Sequence, residues 1–369
     1  MIEMSQEAIA TMKFNDPRWE TLSRPKRDAL VTELIVKQVE FARREVPFYA
    51  NLYKNLKLGD LNDLKDCAAH IPSLRKEQIR SLPTPYELLP KSIRASLNKL
   101  WLHRGTGGTT GPPTSIFFTK GDFDANIDGN LRITRLANPK APLIAFDGYN
   151  QGHISGPYFD EVARRLGAAV ITRNFGSSDA QAVLQLKFHQ ANCIIGPPVS
   201  THKGGSIHDL LDADVNSGNN YINGENIKLI IMSSTGITRE LYDELTQLGI
   251  KSMVNIYGST DVCTTAVSPP YNPFELILSY GHNAPFVLNS EGHVANNERG
   301  MLVASRIGSY DEQGNVIPNQ GTQLINFHLG DEVTYHDKCS VDGWTTPAIS
   351  GVKRVMNLRE KLEAGCEVW

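Results

Sequence analysis

The sequence predicts an α/β fold, with a mostly parallel sheet flanked by helices and a small β-rich subdomain near the end of the chain. Between about residues 143 and 257, short apolar segments alternate with longer segments that carry one apolar face. Strands that alternate with helices in this way form parallel sheets with helices on both faces. After residue 300 the pattern changes to short strands separated by turns, which indicates a separate β-subdomain.

Composition narrows the class of protein. The chain has 369 residues, 40% of them apolar, and a formal net charge of −3, so it can bury a large core in one or two domains. This balance implies neither nucleic acid nor a membrane as a partner. Residues 1–19 lack the pattern of a signal peptide, and no apolar run approaches the ~20 residues of a membrane helix. Five widely spaced cysteines predict a reduced, cytoplasmic compartment and argue against a structural metal.

The N-terminal part of the chain is predicted to be scaffold. Residues 24–46 place apolar side chains on one face of a helix that Pro47 ends. Prolines between residues 72 and 90 then interrupt a linking region, which leads to a glycine- and threonine-rich loop.

This loop joins two short predicted strands, at residues 100–102 and 116–118. Glycines let backbone N–H groups approach a ligand closely and threonine hydroxyls add uncharged donors, a combination that suits phosphate oxygens. It is not a Walker loop, because Pro112 follows the last glycine, and it lacks the third glycine of a dinucleotide fingerprint. The alternative is a flexible hairpin turn, but the mixed order of threonine and glycine favours a ligand loop. Its candidate binding residues are Thr106, Gly107, Gly108, Thr109, Thr110 and Gly111.

Residues 106–114 resemble the Ser/Thr-Ser-Gly-Thr-Thr-Gly-x-Pro signature of the adenylate-forming (ANL) superfamily, in its phenylacetate–CoA ligase branch. The Val-Pro-Phe-Tyr segment at residues 46–49 is similar to a segment of the same branch. The resemblance implies that the loop holds the β,γ-phosphates of ATP while a carboxylate attacks the α-phosphorus, giving acyl-AMP and pyrophosphate. Gly107 stands where the family usually has serine, so one hydroxyl contact is expected to be missing.

Downstream of the loop, a helix is predicted at residues 122–136 and an alternating series follows it. Ligands of parallel sheets bind beyond the carboxyl ends of the strands, so the residues that follow each strand are candidates for the site. The predicted strands are residues 143–146, 169–172, 193–196, 227–233 and 252–257, and the predicted helices between them are 158–166, 180–190 and 238–248.

Two of these strand ends resemble nucleotide-binding segments of the superfamily. The first, Ser234, Thr235 and Gly236, looks like the turn that lines adenine. The second resembles the Tyr-Gly-x-Ser/Thr-Glu segment and consists of Tyr257, Gly258, Ser259, Thr260 and Asp261. The resemblance implies that the tyrosine stacks on adenine, the Ser/Thr contacts the α-phosphate and the acid helps to hold Mg²⁺. Asp261 is one methylene shorter than the family's glutamate and would reach the ion through water.

A third strand end, residues 147–156, is also glycine-rich. By resemblance it lines the acyl pocket, with Tyr149 and His153 as candidate substrate contacts. His153 either gates the pocket and orients the carboxylate or is a hydrogen-bonded structural residue, and both readings stay open.

The predicted β-subdomain covers about residues 290–345 and contains a Gly-Asp turn that resembles the family's Thr-Gly-Asp segment. The resemblance implies that Asp331 binds both ribose hydroxyls. Its position, about 70 residues after Tyr257 in the chain, supports that assignment.

Near its end the sequence departs from the family. Lys353 and Arg354 stand where the hinge acids are expected, and we expect residues 1–350 to form the large N-terminal domain and 351–369 a hinge stub, without the C-terminal domain that carries the family's catalytic lysine. Length and ending are similar to atypical adenylating proteins of phenazine antibiotic biosynthesis. They are also similar to acyl-protein synthetases that use a C-terminal cysteine, for which Cys366 is a candidate, although an ordinary cysteine is the simpler reading.

The expected activity is ATP-dependent activation of a small-molecule carboxylate, aryl rather than fatty acyl, with ATP/AMP and Mg²⁺ as cofactors. A non-catalytic module that binds nucleotide or acyl-adenylate and hands it to a partner enzyme is the rival prediction. The sequence leaves open whether the chain is a monomer or a homodimer.

Overall fold

The computed structural model describes residues 12–105, 114–199 and 205–355. Within these ranges the chain forms ten α-helices and fifteen strands. The helices are α1 (Arg24–Glu45), α2 (Pro47–Leu52), α3 (Leu64–His70), α4 (Lys76–Arg80), α5 (Lys91–Arg94), α6 (Lys120–Thr134), α7 (Ser155–Arg165), α8 (Asp179–Phe188), α9 (Ile207–Asn216) and α10 (Arg239–Gln247).

The strands follow the same order along the chain. They are β1 (Leu100–Gly105), β2 (Ser115–Thr119), β3 (Ile144–Asp147), β4 (Ala169–Thr172), β5 (Cys193–Gly196), β6 (Leu229–Ser233), β7 (Met253–Ser259), β8 (Cys263–Val267), β9 (Leu276–Leu278), β10 (Asn283–Leu288), β11 (Arg299–Arg306), β12 (Ser309–Tyr310), β13 (Val316–Ile317), β14 (Phe327–His336) and β15 (Ala348–Arg354).

The chain divides into two compact units. The first contains Met1–Gly129, Ser259–Thr265 and Leu278–Trp369, and the second contains Asn130–Gly258 and Ala266–Ile277. Among the described residues, no helix combines the length and the apolar character that crossing a bilayer requires.

The second unit contains the predicted parallel sheet. Its strands lie in the order β4, β3, β5, β6, β7, and every adjacent pair is parallel. All residues of β5 and β6 are buried, as expected for strands that are covered on both faces. The α/β class predicted from the alternating pattern is confirmed.

Helices α8, α9 and α10 pack on one face of this sheet through a single apolar cluster, which includes Ile194, Ile230 and Met232 from the strands and Leu186 and Leu245 from the helices. Helix α9 was absent from the sequence prediction. Its start carries a recognisable signal, because Ser206 and Asp209 form a capping box in which each side chain accepts from the other residue's backbone N–H.

In the first unit, the strands after residue 300 pair antiparallel, as the change of pattern there indicated, whereas a separate subdomain at about residues 290–345 stays a prediction. Strand β11 lies between β10 and β14, and β15 pairs with the other edge of β14. Helix α1 starts and ends within one residue of its predicted bounds. The Gly-Asp turn expected at Gly330 and Asp331 is instead part of strand β14, although Gly330 has the left-handed φ of 81°.

Candidate functional site

The glycine-rich loop begins and ends on a confirmed pair of strands. Strands β1 and β2 are antiparallel, and Gly105 pairs with Ser115 at the end of the strand pair that leads into the loop. The candidate phosphate contacts Thr106, Thr109 and Thr110, with the loop glycines, lie outside the described residues. Cys366 lies outside them as well, so the roles of these residues stay predictions.

In the second unit, the carboxyl ends of the parallel strands bring the predicted segments together. The segment after β3 reaches the end of β6, because the Tyr149 hydroxyl donates to the Ser233 carbonyl over 2.8 Å. The segment after β6 turns back to the one after β5, where the Thr235 hydroxyl donates to the Val199 carbonyl over 3.0 Å. Ser234 adopts a φ of 80° in this turn, a conformation that a non-glycine residue takes only when its surroundings enforce it.

Tyr149 is a structural link between two strand ends. Its ring stacks on Phe159 with centroids 5.1 Å apart, and 8% of the residue is exposed. Burial also raises the pKa of the phenol well above its usual value, so the hydroxyl remains a donor. His153 is half-buried, and its Nδ1 lies 3.1 Å from the Ser155 hydroxyl at the start of α7.

The same strand end carries an acidic pair that the sequence analysis missed. Asp147, the last residue of β3, is fully buried and accepts hydrogen bonds from the Tyr149 N–H (2.8 Å) and from the Gln151 amide (3.1 Å). Burial, followed by the adjacent carboxyl of Asp160 on α7, raises the pKa of Asp147 to about 8. The pair therefore shares a proton near neutral pH and stabilises the turn that holds Tyr149.

The Tyr257 segment starts at the last residues of β7. Tyr257, Gly258 and Ser259 are each partly exposed, whereas Thr260 and Asp261 are buried. Partial exposure at a strand end is compatible with the predicted stacking on adenine. Tyr257 is therefore not a fully buried core residue, and its stacking on adenine stays a prediction.

In the first unit, the buried Asp261 forms an ion pair with a partly exposed lysine that is far away in sequence. Only 3% of Asp261 is exposed, and its Oδ2 lies 3.1 Å from Nζ of Lys76. Its other oxygen, Oδ1, is buried and has no hydrogen-bond partner among the described residues. A buried carboxylate oxygen without a donor is costly, so this atom is a candidate ligand for a cation or for the water that surrounds one.

The backbone fixes the position of Lys76. Leu74 forms a parallel bridge to Phe327 at the start of β14, with Leu74 N–H donating to the Asn326 carbonyl and the Leu74 carbonyl accepting from His328 N–H, both over 2.9 Å. Lys76 follows as the first residue of α4. The sequence contains no signal for this pair, because 185 positions separate the lysine from Asp261.

Asp331, the predicted ribose contact, is also paired with a cation. Its Oδ1 lies 3.2 Å from Nε of Arg354, and the two residues face each other in the register of β14 and β15. The Asp331 side chain is 5% exposed and that of Arg354 is 68% exposed.

Within the first unit, the pair of Asp261 and Lys76 suits an anionic ligand accompanied by a divalent cation. Within the described ranges, no three His, Cys, Asp or Glu side chains gather as a ready-made metal cage. Mg²⁺ commonly needs no such cage, because it keeps several waters and binds one or two carboxylates together with substrate phosphates. The unsatisfied Oδ1 of Asp261 fits that mode, and the Lys76 ammonium adds positive charge beside it.

Comparison with curated proteins gives two relatives, whereas no protein-family model matches the chain. Phenylacetate–coenzyme A ligase of Thermus thermophilus is 24% identical over 259 residues, which cover 68% of this chain and 54% of the relative. The Escherichia coli enzyme of the same name is 24% identical over 256 residues, covering 68% of this chain and 55% of the relative. The matched region thus spans about half the length of these relatives.

Comparison with solved structures gives a more extensive match. A 2-hydroxyisobutyryl-CoA ligase, in an open conformation with 2-HIB-AMP and CoA, aligns with a TM-score of 0.77 at 16% identity, over 93% of this chain and 78% of that one. The same ligase in its thioesterification state aligns with a TM-score of 0.78 at 17% identity, over 92% and 71%. The chain therefore has the α/β fold of this CoA ligase.

Proposed function

We propose that this chain activates a carboxylic acid with MgATP, forming an acyl-adenylate and pyrophosphate. The observation that carries the proposal is the buried Asp261, with Lys76 on one carboxylate oxygen and no partner for the other among the described residues. In a chain with the fold of ligases whose solved structures hold an acyl-AMP, this carboxylate stands at the position where the sequence resemblance expects the magnesium ligand.

The reaction needs positioning and charge stabilisation more than covalent help from the protein. A carboxylate oxygen of the substrate bonds to the α-phosphorus as the bond to the pyrophosphate oxygen breaks. The hydroxyls of Thr106, Thr109 and Thr110, with N–H groups of the loop, would hold the departing pyrophosphate. The Lys76 ammonium would offset part of the charge that develops on the phosphates.

The remaining residues of the proposed site would hold the nucleoside and the metal. Tyr257 would stack on adenine beside the turn formed by Ser234, Thr235 and Gly236, and Asp331 would accept from the ribose hydroxyls. Bound Mg²⁺ would draw charge away from the phosphate oxygens, and Asp261 would hold it through a water molecule.

The carboxylic acid is proposed to be aromatic. The phenylacetate–CoA ligases matched in sequence are named for an aryl acid, and the turn with Tyr149 and His153 would border the acyl pocket. A phenazine carboxylate, as used in antibiotic biosynthesis, is the more specific proposal.

The acceptor of the acyl group is proposed to be a partner enzyme. The matched region covers about half of each curated relative, so transfer to CoA by this chain alone does not follow from the likeness.

Isotope exchange between pyrophosphate and ATP tests the proposal. The purified chain should catalyse exchange with Mg²⁺ present and only when a suitable acid is added, and a panel of benzoates, phenylacetates, phenazine carboxylates and fatty acids identifies the class. Exchange with fatty acids alone would overturn the aryl assignment. Calorimetric binding of AMP without exchange for any acid would favour the non-catalytic module instead.

A further inference from the structure

The strand pair β14–β15 places a guanidinium directly on Asp331. Arg354 is the last residue of β15, and its side chain makes two contacts on β14: Nε lies 3.2 Å from Oδ1 of Asp331, and Nη1 donates to the Leu329 carbonyl over 2.7 Å. The planar guanidinium therefore spans two positions of the same strand, and both contacts restrict its orientation.

Gly330 makes room for this arrangement. Nη1 of Arg354 lies 3.2 Å from the point where a Cβ atom on Gly330 would stand, and Gly330 has a φ of 81°. Any other residue here would be strained and would push against the guanidinium. The Val355 N–H also donates to the Gly330 carbonyl over 2.9 Å, so backbone and side chain of residues 354–355 hold the segment 329–331 together.

The energetics argue that this contact serves orientation more than stability. Arg354 is 68% exposed at its side chain, and ion pairs with a solvent-exposed partner contribute little to folding. A carboxylate accepts about four hydrogen bonds, so Oδ1 can keep Arg354 while the carboxylate still accepts from two hydroxyls. The pair with Arg354 limits the rotation of that carboxylate.

We propose that Arg354 is a positioning residue that orients the Asp331 carboxylate for the two adjacent hydroxyls of a ribonucleotide, and so sets the preference for ribose over deoxyribose. This inference rests on the proposed function, in which Asp331 accepts from the ribose. It assigns a role to a basic residue at a position where the sequence analysis expected an acid.

The test compares the affinities of AMP and 2′,3′-dideoxy-AMP, measured calorimetrically with the full chain. Arg354→Met should lower the ratio of the two affinities by about threefold to tenfold, the size of one or two misaligned hydrogen bonds, and should leave dideoxy-AMP binding unchanged. Arg354→Lys should recover part of the ratio. Lys353→Met is the matched control, because it removes one positive charge at the preceding residue of the same strand. It should leave the ratio of the AMP and dideoxy-AMP affinities as in the parent.

The variant Asp331→Ala distinguishes failure of the role of Arg354 from failure of the ribose contact at Asp331. If this variant loses the preference for AMP and Arg354→Met keeps it, the role of Arg354 is overturned and the ribose assignment stands. If neither variant changes the ratio, or the parent chain shows no preference, the ribose assignment fails and Arg354 fails with it. A rise in AMP affinity in Arg354→Met would also overturn the proposal, because Arg354 would then compete with the ribose.

Discussion

Two buried carboxylates of the first unit and one of the second have opposite neighbours. In the first unit, Asp261 pairs with Lys76 and Asp331 pairs with Arg354. In the second unit, Asp147 lies beside another carboxyl, that of Asp160, and their mutual repulsion adds to burial in raising its pKa. A cation beside a carboxylate stabilises its charge, whereas a second carboxyl makes a shared proton favourable.

This difference separates carboxylates that are available to a ligand from carboxylates that stabilise their own turn. Charged carboxylates can attract a metal ion or accept hydrogen bonds from ligand hydroxyls, and Asp261 still has a buried oxygen without a partner among the described residues. The protonated pair at Asp147 has its hydrogen bonds directed at its own turn, to Tyr149 and Gln151. The comparison therefore supports the proposed ligand-binding roles of Asp261 and Asp331 and gives the pair of Asp147 and Asp160 a role in stabilising its own turn.

The largest expected effect concerns the ligand role of Asp261. Asp261→Asn keeps the shape of the side chain and removes its charge, so pyrophosphate exchange should fall by about 10²–10³, as when one electrostatic stabiliser is lost. Asp124→Asn is the control, since it removes a carboxylate that pairs with Lys120 in the same unit. Exchange at the parental rate in Asp261→Asn would end the assignment of this residue to the metal.

The second prediction is that Lys76 and Asp261 stabilise the folded chain as a pair. Lys76→Met leaves a buried carboxylate without its cation, which should lower the free energy of unfolding by about 2–4 kcal/mol. Adding Asp261→Asn should recover part of the loss, because the charge is then removed as well. Denaturant unfolding of the two single variants and the double variant measures the coupling.

An exposed ion pair serves as the control for this cycle. Lys37 and Glu33 lie 2.6 Å apart on α1 with about half of each side chain exposed, and the coupling between Lys37→Met and Glu33→Gln should stay below about 1 kcal/mol. A coupling for Lys76 and Asp261 that is no larger than this would mean that burial adds nothing to the pair.

The smallest effect concerns the proton at Asp147. The folded chain keeps this proton up to a pKa of about 8, whereas the unfolded chain loses it near pH ~4. Its contribution to stability is therefore complete below the unfolded pKa and is lost as the pH rises towards 8. Across one or two pH units in this window, the free energy of unfolding should fall by about 1–2 kcal/mol.

Asp147→Asn should flatten that decline, because an amide does not titrate and can donate to Asp160 in place of the shared proton. The free energy of unfolding is measured with denaturant at about pH 6 and about pH 7.5, two points within this window. The difference between them gives the slope with pH for parent and variant. Asp243→Asn, an exposed acid of the same unit, should leave the parental slope. An equally steep decline in Asp147→Asn would assign the pH dependence to other groups.

Local patterns in the sequence determined the fold class. Alternating apolar segments and amphipathic segments predicted the parallel sheet of the second unit, because strands covered on both faces are apolar throughout, as β5 and β6 are. Helix α9 was missed although its capping box is visible in sequence, since Ser206 and Asp209 lie three residues apart.

Tertiary structure alone decided which charged side chains lie beside the carboxylates of the candidate site. Lys76 reaches Asp261 across 185 positions of sequence because the bridge between Leu74 and Phe327 carries it there. Arg354 reaches Asp331 through the register of two antiparallel strands. A motif can name the carboxylate that binds a ligand, but the charge beside that carboxylate depends on strand pairing and burial, which become defined only when distant segments pack together.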